Sequence, residues 1–435
     1  MGRTILAQMD LPNAAPASLP FRDAFKVWTK IGLLSFGGPA GQIAVMHREL
    51  VEERGWLSEK EFLQALNFCM LLPGPEAMQL VTYSGWKTHG VRGGLTAGLL
   101  FVLPGAAFML LLSAIYGAYG NVGWIAALFY GVKAAVLAIV IEALFRVAKR
   151  ALKVRADWVV AGLAFVALFC FTVPFPVIII AAALFGLWRG SGIAEEHAGR
   201  LPTLRELAGT VGLWGGIWLI PLAGLALVLG PHHVLTDVGV FFSKLAVVTF
   251  GGAYAVLTYM AQAAVERQGW LSAPEMIDGL GLAETTPGPL ILVTEFVGYL
   301  AGARGLGGLW GGIIGAAVTL WMTFAPCFLW IFAGAPYIEA IGKRPRLAGA
   351  LAAITAAVVG VVLNLSVWFG LHVLFGTVER MDGWFRPWLP DWAGLDIFAL
   401  ALSVLAAVAL LRFHLGMVKT LALCAAIGMV WRLAV

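Results

Sequence analysis

Apolar runs fill most of the chain, interrupted by short polar clusters and by glycine–proline breaks. The runs show no period-2 alternation. In a bilayer every backbone polar group must be satisfied within its own element, so such runs predict membrane-spanning helices and not a barrel. A span needs about 20 apolar residues. Stretches 93–117, 122–145, 211–229, 307–334 and 347–375 are long enough, and 395–411 and 416–432 close the chain. Stretch 158–188 is too long for one untilted span. It is cut by Pro174-Phe175-Pro176, which predicts two short spans.

Other apolar stretches are shorter and more broken. Residues 21–36 carry Arg22, Asp23, Lys26 and Lys30 and stop at Gly37-Gly38-Pro39, where glycine and proline break a helix. Residues 40–54 are amphipathic and end in a charged run. Ser58-Glu59-Lys60-Glu61 predicts a helix start closed by a capping box, with Ser58 as N-cap and Glu61 reaching back. That helix is expected to reach Leu72 and stop at Pro73-Gly74-Pro75, and a further short helix to end within 85–94.

This broken stretch occurs twice. Gly37 and Gly251, Gly55 and Gly269, and Pro73 and Pro287 are each 214 positions apart, with no gap between the first motif and the last. Lys30/Lys244, Met46/Met260, Glu52/Glu266, Glu61/Glu275 and Leu66/Leu280 keep the same offset. The chain is therefore an internal duplication. Short, Gly/Pro-interrupted segments at matching places in two halves point to a transporter's binding site.

Composition narrows the class. Of 435 residues, 60% are hydrophobic and 12% charged, with mean hydropathy +0.88; soluble domains carry roughly 25% charged residues. The net charge of +5 is no nucleic-acid signal, because the basic residues sit in short loops between spans. Arg146, Lys149, Arg150, Lys153 and Arg155 form one such loop, which the positive-inside rule places in the cytoplasm together with the N-terminus. The expected organisation is a polar leader at 1–20, a first transmembrane repeat at 21–190, a cytoplasmic linker at 191–207 and a second repeat at 208–435. Counting spans starts the second copy from the opposite side, which makes the fold an all-α polytopic membrane protein with two inverted repeats. Residues 379–392, with Trp384, Trp388 and Trp392, suggest an outer interfacial segment. Cys69, Cys170, Cys327 and Cys424 lie scattered in apolar segments and suggest buried thiols, not a metal or redox site. His232-His233 suggests a wet loop. No apolar signal-peptide core is evident in the first twenty residues.

Phe36-Gly37-Gly38-Pro39, Gly55-Trp56-Leu57-Ser58, Leu71-Leu72-Pro73-Gly74-Pro75-Glu76-Ala77 and Ala283-Glu284-Thr285-Thr286-Pro287-Gly288-Pro289 together resemble the long-chain chromate ion transporter family. The resemblance covers both halves from Phe21 onward. It implies a bacterial inner-membrane carrier that expels chromate and confers chromate resistance, with sulfate, a similar tetrahedral dianion, as a related substrate. Ala253 stands where the family often has a third glycine. A homodimer is compatible with this reading.

The residues suggest how a dianion is held. Half-helix N-termini offer free N–H groups and partial positive charge, here at Gly37, Gly38, Gly74, Gly251, Gly252 and Gly288. Ser35, Gln42, Gln79, Thr249, Thr285 and Thr286 stand beside them to complete a shell. Lys30 and Lys244 are matched cations in apolar segments, where charge is costly and usually functional; snorkelling to the interface is the plainer alternative. Glu76, Glu284 and Glu295 lie at or near the Pro-Gly-Pro breaks. They repel an anion, so they suggest coupling or gating, with Glu76 foremost. Lys133, in mid-span, is unexplained and suggests a place along the pathway, whereas Glu142 and Arg146 suggest an i,i+4 pair. No Walker-type phosphate loop occurs, and neither a catalytic constellation nor a cofactor is expected. Sulfate or other oxyanion uptake, and an anion channel, are the rival functions.

Overall fold

The computed structural model describes residues 19–35, 38–70, 72–120, 122–190, 203–248, 253–338 and 345–434. Among these, six helices are long and apolar enough to cross a membrane. The first half opens with α1 (Phe21–Leu34) and α2 (Gly38–His47), which continues through a π turn at Arg48–Glu52. Next come α3 (Glu59–Cys69) and α4 (Glu76–Tyr119). α4 is two helices, 76–88 and 91–119, meeting where His89 and Gly90 leave helical geometry. The half ends with α5 (Gly123–Ala151), α6 (Arg155–Phe171) and α7 (Phe175–Arg189). α6 and α7 divide at the Pro174-Phe175-Pro176 cut as expected, but at 17 and 15 residues neither is among the six helices long and apolar enough to cross a membrane.

α8 (Leu204–Leu229) follows, capped by Thr203, and begins inside the expected linker. The second half contains α9 (Val234–Val248), α10 (Ala253–Gln262) with a π turn at Ala263–Arg267, and α11 (Ala273–Thr285). A 3₁₀ turn at Leu290–Leu292 leads into α12 (Val293–Gly302), then come α13 (Gly308–Gly334) and α14 (Pro345–Leu374). α15 (Ile397–Leu411) and α16 (Met417–Ala434) end the chain. Between α14 and α15 lies an antiparallel hairpin, β1 (Val378–Arg380) and β2 (Trp388–Pro390). The aromatic segment expected at 379–392 is thus a small sheet, with Trp384 and Trp392 largely exposed. Arg380 stacks 4.8 Å above the Trp388 ring.

The repeat is kept in three dimensions. Both capping boxes form: Glu61 accepts from the Ser58 N–H at 2.9 Å, and Glu275 from the Ser272 N–H at 2.8 Å. α3 ends at Cys69, short of the expected Leu72. Lys87, near the end of the 76–88 helix, lies 3.2 Å from Glu61 at the start of α3. α3 therefore enters the protein and the 76–88 helix returns to the same face. α11 and α12 make the same re-entrant pair, closed by Arg304 and Glu275.

Equivalent helices run in opposite directions. A Cβ on Gly94 would lie 2.7 Å from the Phe332 ring, and one on Gly98 2.7 Å from Phe328. Residues 91–119 of α4 and their counterpart α13 are thus antiparallel, and side-chain-free positions let them approach closely, as helices in membranes do. The halves also exchange their ends. α6 and α7 pack on α14, while α15 and α16 pack on α5. The Tyr130 hydroxyl on α5 donates to Asp396 at 2.7 Å. The end of α5 and the start of α6 carry the basic loop, and their face is called the basic face below.

Candidate functional site

The breaks of the two copies meet inside the protein. α1 stops at Leu34 and α2 starts at Gly38. The Ser35 carbonyl, in that gap, accepts from the Gly288 N–H at 2.8 Å. Gln42 Nε2 donates to the Gly288 carbonyl at 2.6 Å. The second Pro-Gly-Pro break is thereby held by residues of the first copy. Gly288 has φ +89°, which favours glycine. The first Pro-Gly-Pro break is held locally, with Gln79 Nε2 donating to the Pro73 carbonyl at 2.7 Å. Gly74, at φ +122°, sits against Gln79 and Cys327. Gly37, Thr249, Gly251 and Gly252 lie outside the described residues.

Three of the expected hydroxyls turn to their own helices. Ser35 donates to Ile31 at 2.6 Å, Thr285 to Leu282 at 2.7 Å and Thr286 to Ala283 at 2.9 Å, all backbone carbonyls. Such back-bonding occupies the single hydroxyl proton.

A cavity of about 590 Å³ opens beside the first Pro-Gly-Pro break. Gly74 and Glu76 line its inner end, and Arg146, Arg150, Lys153 and Arg189 line it elsewhere. Arg189 is held by Asp157 at 2.9 Å, and Arg146 pairs with Glu142 as its i,i+4 spacing suggested. Arg150 reaches the Met70 sulfur at 3.3 Å and attracts Glu76 across the cavity without forming an ion pair with it. Glu76 is half-buried at the N-terminus of α4, again without an ion pair among the described residues. Four cations against the two acids Glu76 and Asp157 leave the lining with an excess of positive charge, and such a cleft concentrates anions. From sequence, Arg150 and Lys153 marked only the sidedness of a loop; nothing local to them shows that α5 ends beside Gly74.

The equivalent region of the second copy is closed. Residues 288–302 are all buried. Asp278, on α11, accepts from the Tyr116 hydroxyl at 2.8 Å and lies 3.4 Å from Lys133 Nζ. Lys133 thus has a partner that sequence did not reveal. Arg380 pairs with Glu266 at 2.6 Å, tying the hairpin to the π turn after α10. Glu284 is buried, and Glu295 is fully buried with neither carboxyl oxygen hydrogen-bonded among the described residues.

The matched lysines part company. Lys30 Nζ lies 2.6 Å from Glu49, a fully buried carboxylate that Arg54 also contacts at 2.7 Å. At the repeat offset Glu49 becomes Ala263, and Lys244 is exposed without an ion pair among the described residues. Neither lysine lines the cavity. Nearby on the surface, His47 bonds Glu59 at 2.7 Å and Glu52 at 3.1 Å. The hydrogen bond that His47 donates to Glu59, with the charges of both acids, raises the His47 pKa above its ordinary 6.5.

The family model described as "Chromate transporter" matches residues 22–187 and 236–429. The two matched blocks are the two halves, and all of α8 falls between them. A chromate transport protein of Pseudomonas aeruginosa is 35% identical over 401 residues, which is 90% of this chain and 89% of that protein. A probable chromate transport protein of Synechococcus elongatus is 30% identical over 362 residues, 82% of this chain and 88% of that protein. A chromate transport protein of Cupriavidus metallidurans is 29% identical over 342 residues, 78% and 80% of the two chains. No solved structure gives a significant match.

Proposed function

The chain belongs to the chromate transporter family, and from that premise we propose that it is a secondary carrier exporting chromate across the bacterial inner membrane, so giving chromate resistance. The observation that carries this reading is the one-sided cavity. It reaches the first Pro-Gly-Pro break from the basic face, while the second break is enclosed. The positive-inside rule puts the basic face, and with it the N-terminus, in the cytoplasm. An exporter in this state collects its cargo there.

In this account Arg150 and Lys153 draw the dianion in, and the N-terminal N–H groups of α4 at Gly74 and Glu76 receive it. Beyond the cavity, Ser35, Gln42, Gln79, Thr285, Thr286 and Gly288, with Gly37, Gly38, Thr249, Gly251 and Gly252 of the repeated motifs, are assigned to the rest of the substrate shell. The Gln42 bond to the Gly288 carbonyl and the Gly288 N–H bond to the Ser35 carbonyl are the ones a bound oxyanion would replace. Lys30 and Lys244, which do not line the cavity, contribute only through their long-range field. Glu76, Glu284 and Glu295 serve coupling or gating. Glu295 has the strongest physical case, because an unpaired buried charge is costly and an acid in such a place is usually functional.

Export needs no ATP. Moving a dianion outward down an inside-negative potential releases about 4.6 kcal/mol per 100 mV, roughly a thousandfold gradient. Sulfate has the same charge and shape and is expected to compete. The test is cellular chromate in expressing cells: an exporter lowers it relative to a vector control, whereas an oxyanion importer raises it.

A further inference from the structure

The closed face is held by contacts that cross between the halves. Asp278 is 4% exposed. Its two partners, Tyr116 at 2.8 Å and Lys133 at 3.4 Å, come from α4 and α5 of the other half. The Tyr116 ring is packed edge-on against Phe129 and Phe296, with centroids 5.2 and 5.1 Å away. These rings shield the cluster from water and strengthen its electrostatics. Lys133 lies ten residues into α5, about 15 Å along its axis, between the closed face and the level of the breaks.

Among the described residues the open face has no such cluster at the matching positions. At the offset of 214, Asp278 corresponds to Gln64. In the later helices the paired glycines Gly93-Gly94 and Gly311-Gly312 set the offset at 218, as do Gly131 and Gly349. Tyr116 then corresponds to Gly334 and Lys133 to Leu351. No charge or hydroxyl remains there to join the halves. At these matched positions the seam is tied by an ion pair and a hydroxyl on one side, whereas on the other Phe68 only packs against Gly334.

We propose that Asp278, Lys133 and Tyr116 form the latch of the gate opposite the basic face. The latch holds α11 against α4 and α5, and it must open before the carrier can release cargo on that side. This rests on the alternating-access reading above. Removing one member of a buried pair leaves the other uncompensated, so the closed arrangement loses its advantage.

The latch is tested without chromate. Val136 is fully buried on α5, one turn deeper than Lys133. In a chain carrying Val136→Cys, a membrane-impermeant maleimide is applied to the face opposite the basic one, and labelling is measured above that of the parent with its four cysteines. With the latch intact, labelling is slow. Asp278→Asn or Lys133→Met is expected to speed it about tenfold, equivalent to ~1.4 kcal/mol of the closed state's advantage. Tyr116→Phe, which loses only a hydroxyl, gives a smaller rise. The exchange Asp278→Lys with Lys133→Asp returns the rate toward the latched value. Labelling unchanged in all the single variants overturns the latch. If Asp278→Asn fails to fold, unchanged labelling in Tyr116→Phe and Lys133→Met overturns it alone. Fast labelling in a protein that moves no chromate keeps the latch and removes the transport reading; chromate flux with unchanged labelling does the reverse.

Discussion

The two repeats share spacing, caps and breaks, yet α3 stands off beside a cavity while α11 is enclosed. Position by position the cause is visible. Asn67, on α3, lines the cavity. Its counterpart is Gly281, where a Cβ would lie 2.5 Å from Val132 on α5. Leu63 is 46% exposed, whereas its counterpart Ile277 is fully buried. A side chain on α3 is thus replaced by none on α11, and that lets α11 close on α5. Duplication supplied one scaffold twice, and a handful of divergent side chains lets one copy rest open while the other rests shut.

The largest expected effect comes from reversing the charge of the open side. Arg150→Glu places a carboxylate in the cavity facing Glu76 and should lower chromate flux tenfold or more, equivalent to at least ~1.4 kcal/mol. Flux equal to that of the parent would show that the cavity is not the route. Next, Gly281→Asn gives the closed copy the residue of the open one. Overpacking of this kind costs about 1–3 kcal/mol, so thermal stability should fall and labelling at Val136→Cys should rise. Stability and labelling both unchanged would mean that Gly281 does not set the difference.

The lysines give a smaller contrast. Lys30→Met leaves the buried Glu49 with Arg54 and should cost about 1–2 kcal/mol, less than a full buried pair because Lys30 is half-exposed. Lys244→Met should change stability by less than about 0.5 kcal/mol, as at ordinary surface positions. Equal losses in denaturant titrations would contradict the inequality seen in the structure. The smallest effect is on pH. His47 has a raised pKa in the folded chain, so its stabilising contribution is complete below about 6.5 and fades as pH rises through the raised value. It is small, because the site is largely solvated. His47→Gln should remove this part of the pH dependence of Tm between pH 5.5 and 8.5 and leave the remainder.

Much of the frame was legible because it depends on local chemistry. Serine–glutamate caps, proline breaks and the Pro174-Phe175-Pro176 cut each act within a few residues, and the common offset exposed the duplication. The site was legible only in part. The Pro-Gly-Pro and Gly-Gly motifs marked where the chain turns inside the protein. That Gln42 would reach Gly288, 246 residues away, has no local signature. Nor does the approach of Asp278 to Lys133 and Tyr116. The matched lysines suggested a shared role, but the sequence also held the contrary sign: Glu49 is present in one copy and Ala263 stands in its place in the other. The β1–β2 hairpin was hidden because its tryptophans fit an interfacial helix as well as a sheet.

The most direct measurement is chromate flux in proteoliposomes with the basic face exposed to chromate and a controlled potential, positive on the far side. The account predicts saturable flux that grows with the potential, is reduced by sulfate and falls at least about tenfold in Arg150→Glu. Flux that rises linearly with concentration, or that is the same in Arg150→Glu, would contradict a carrier loaded through the basic cavity.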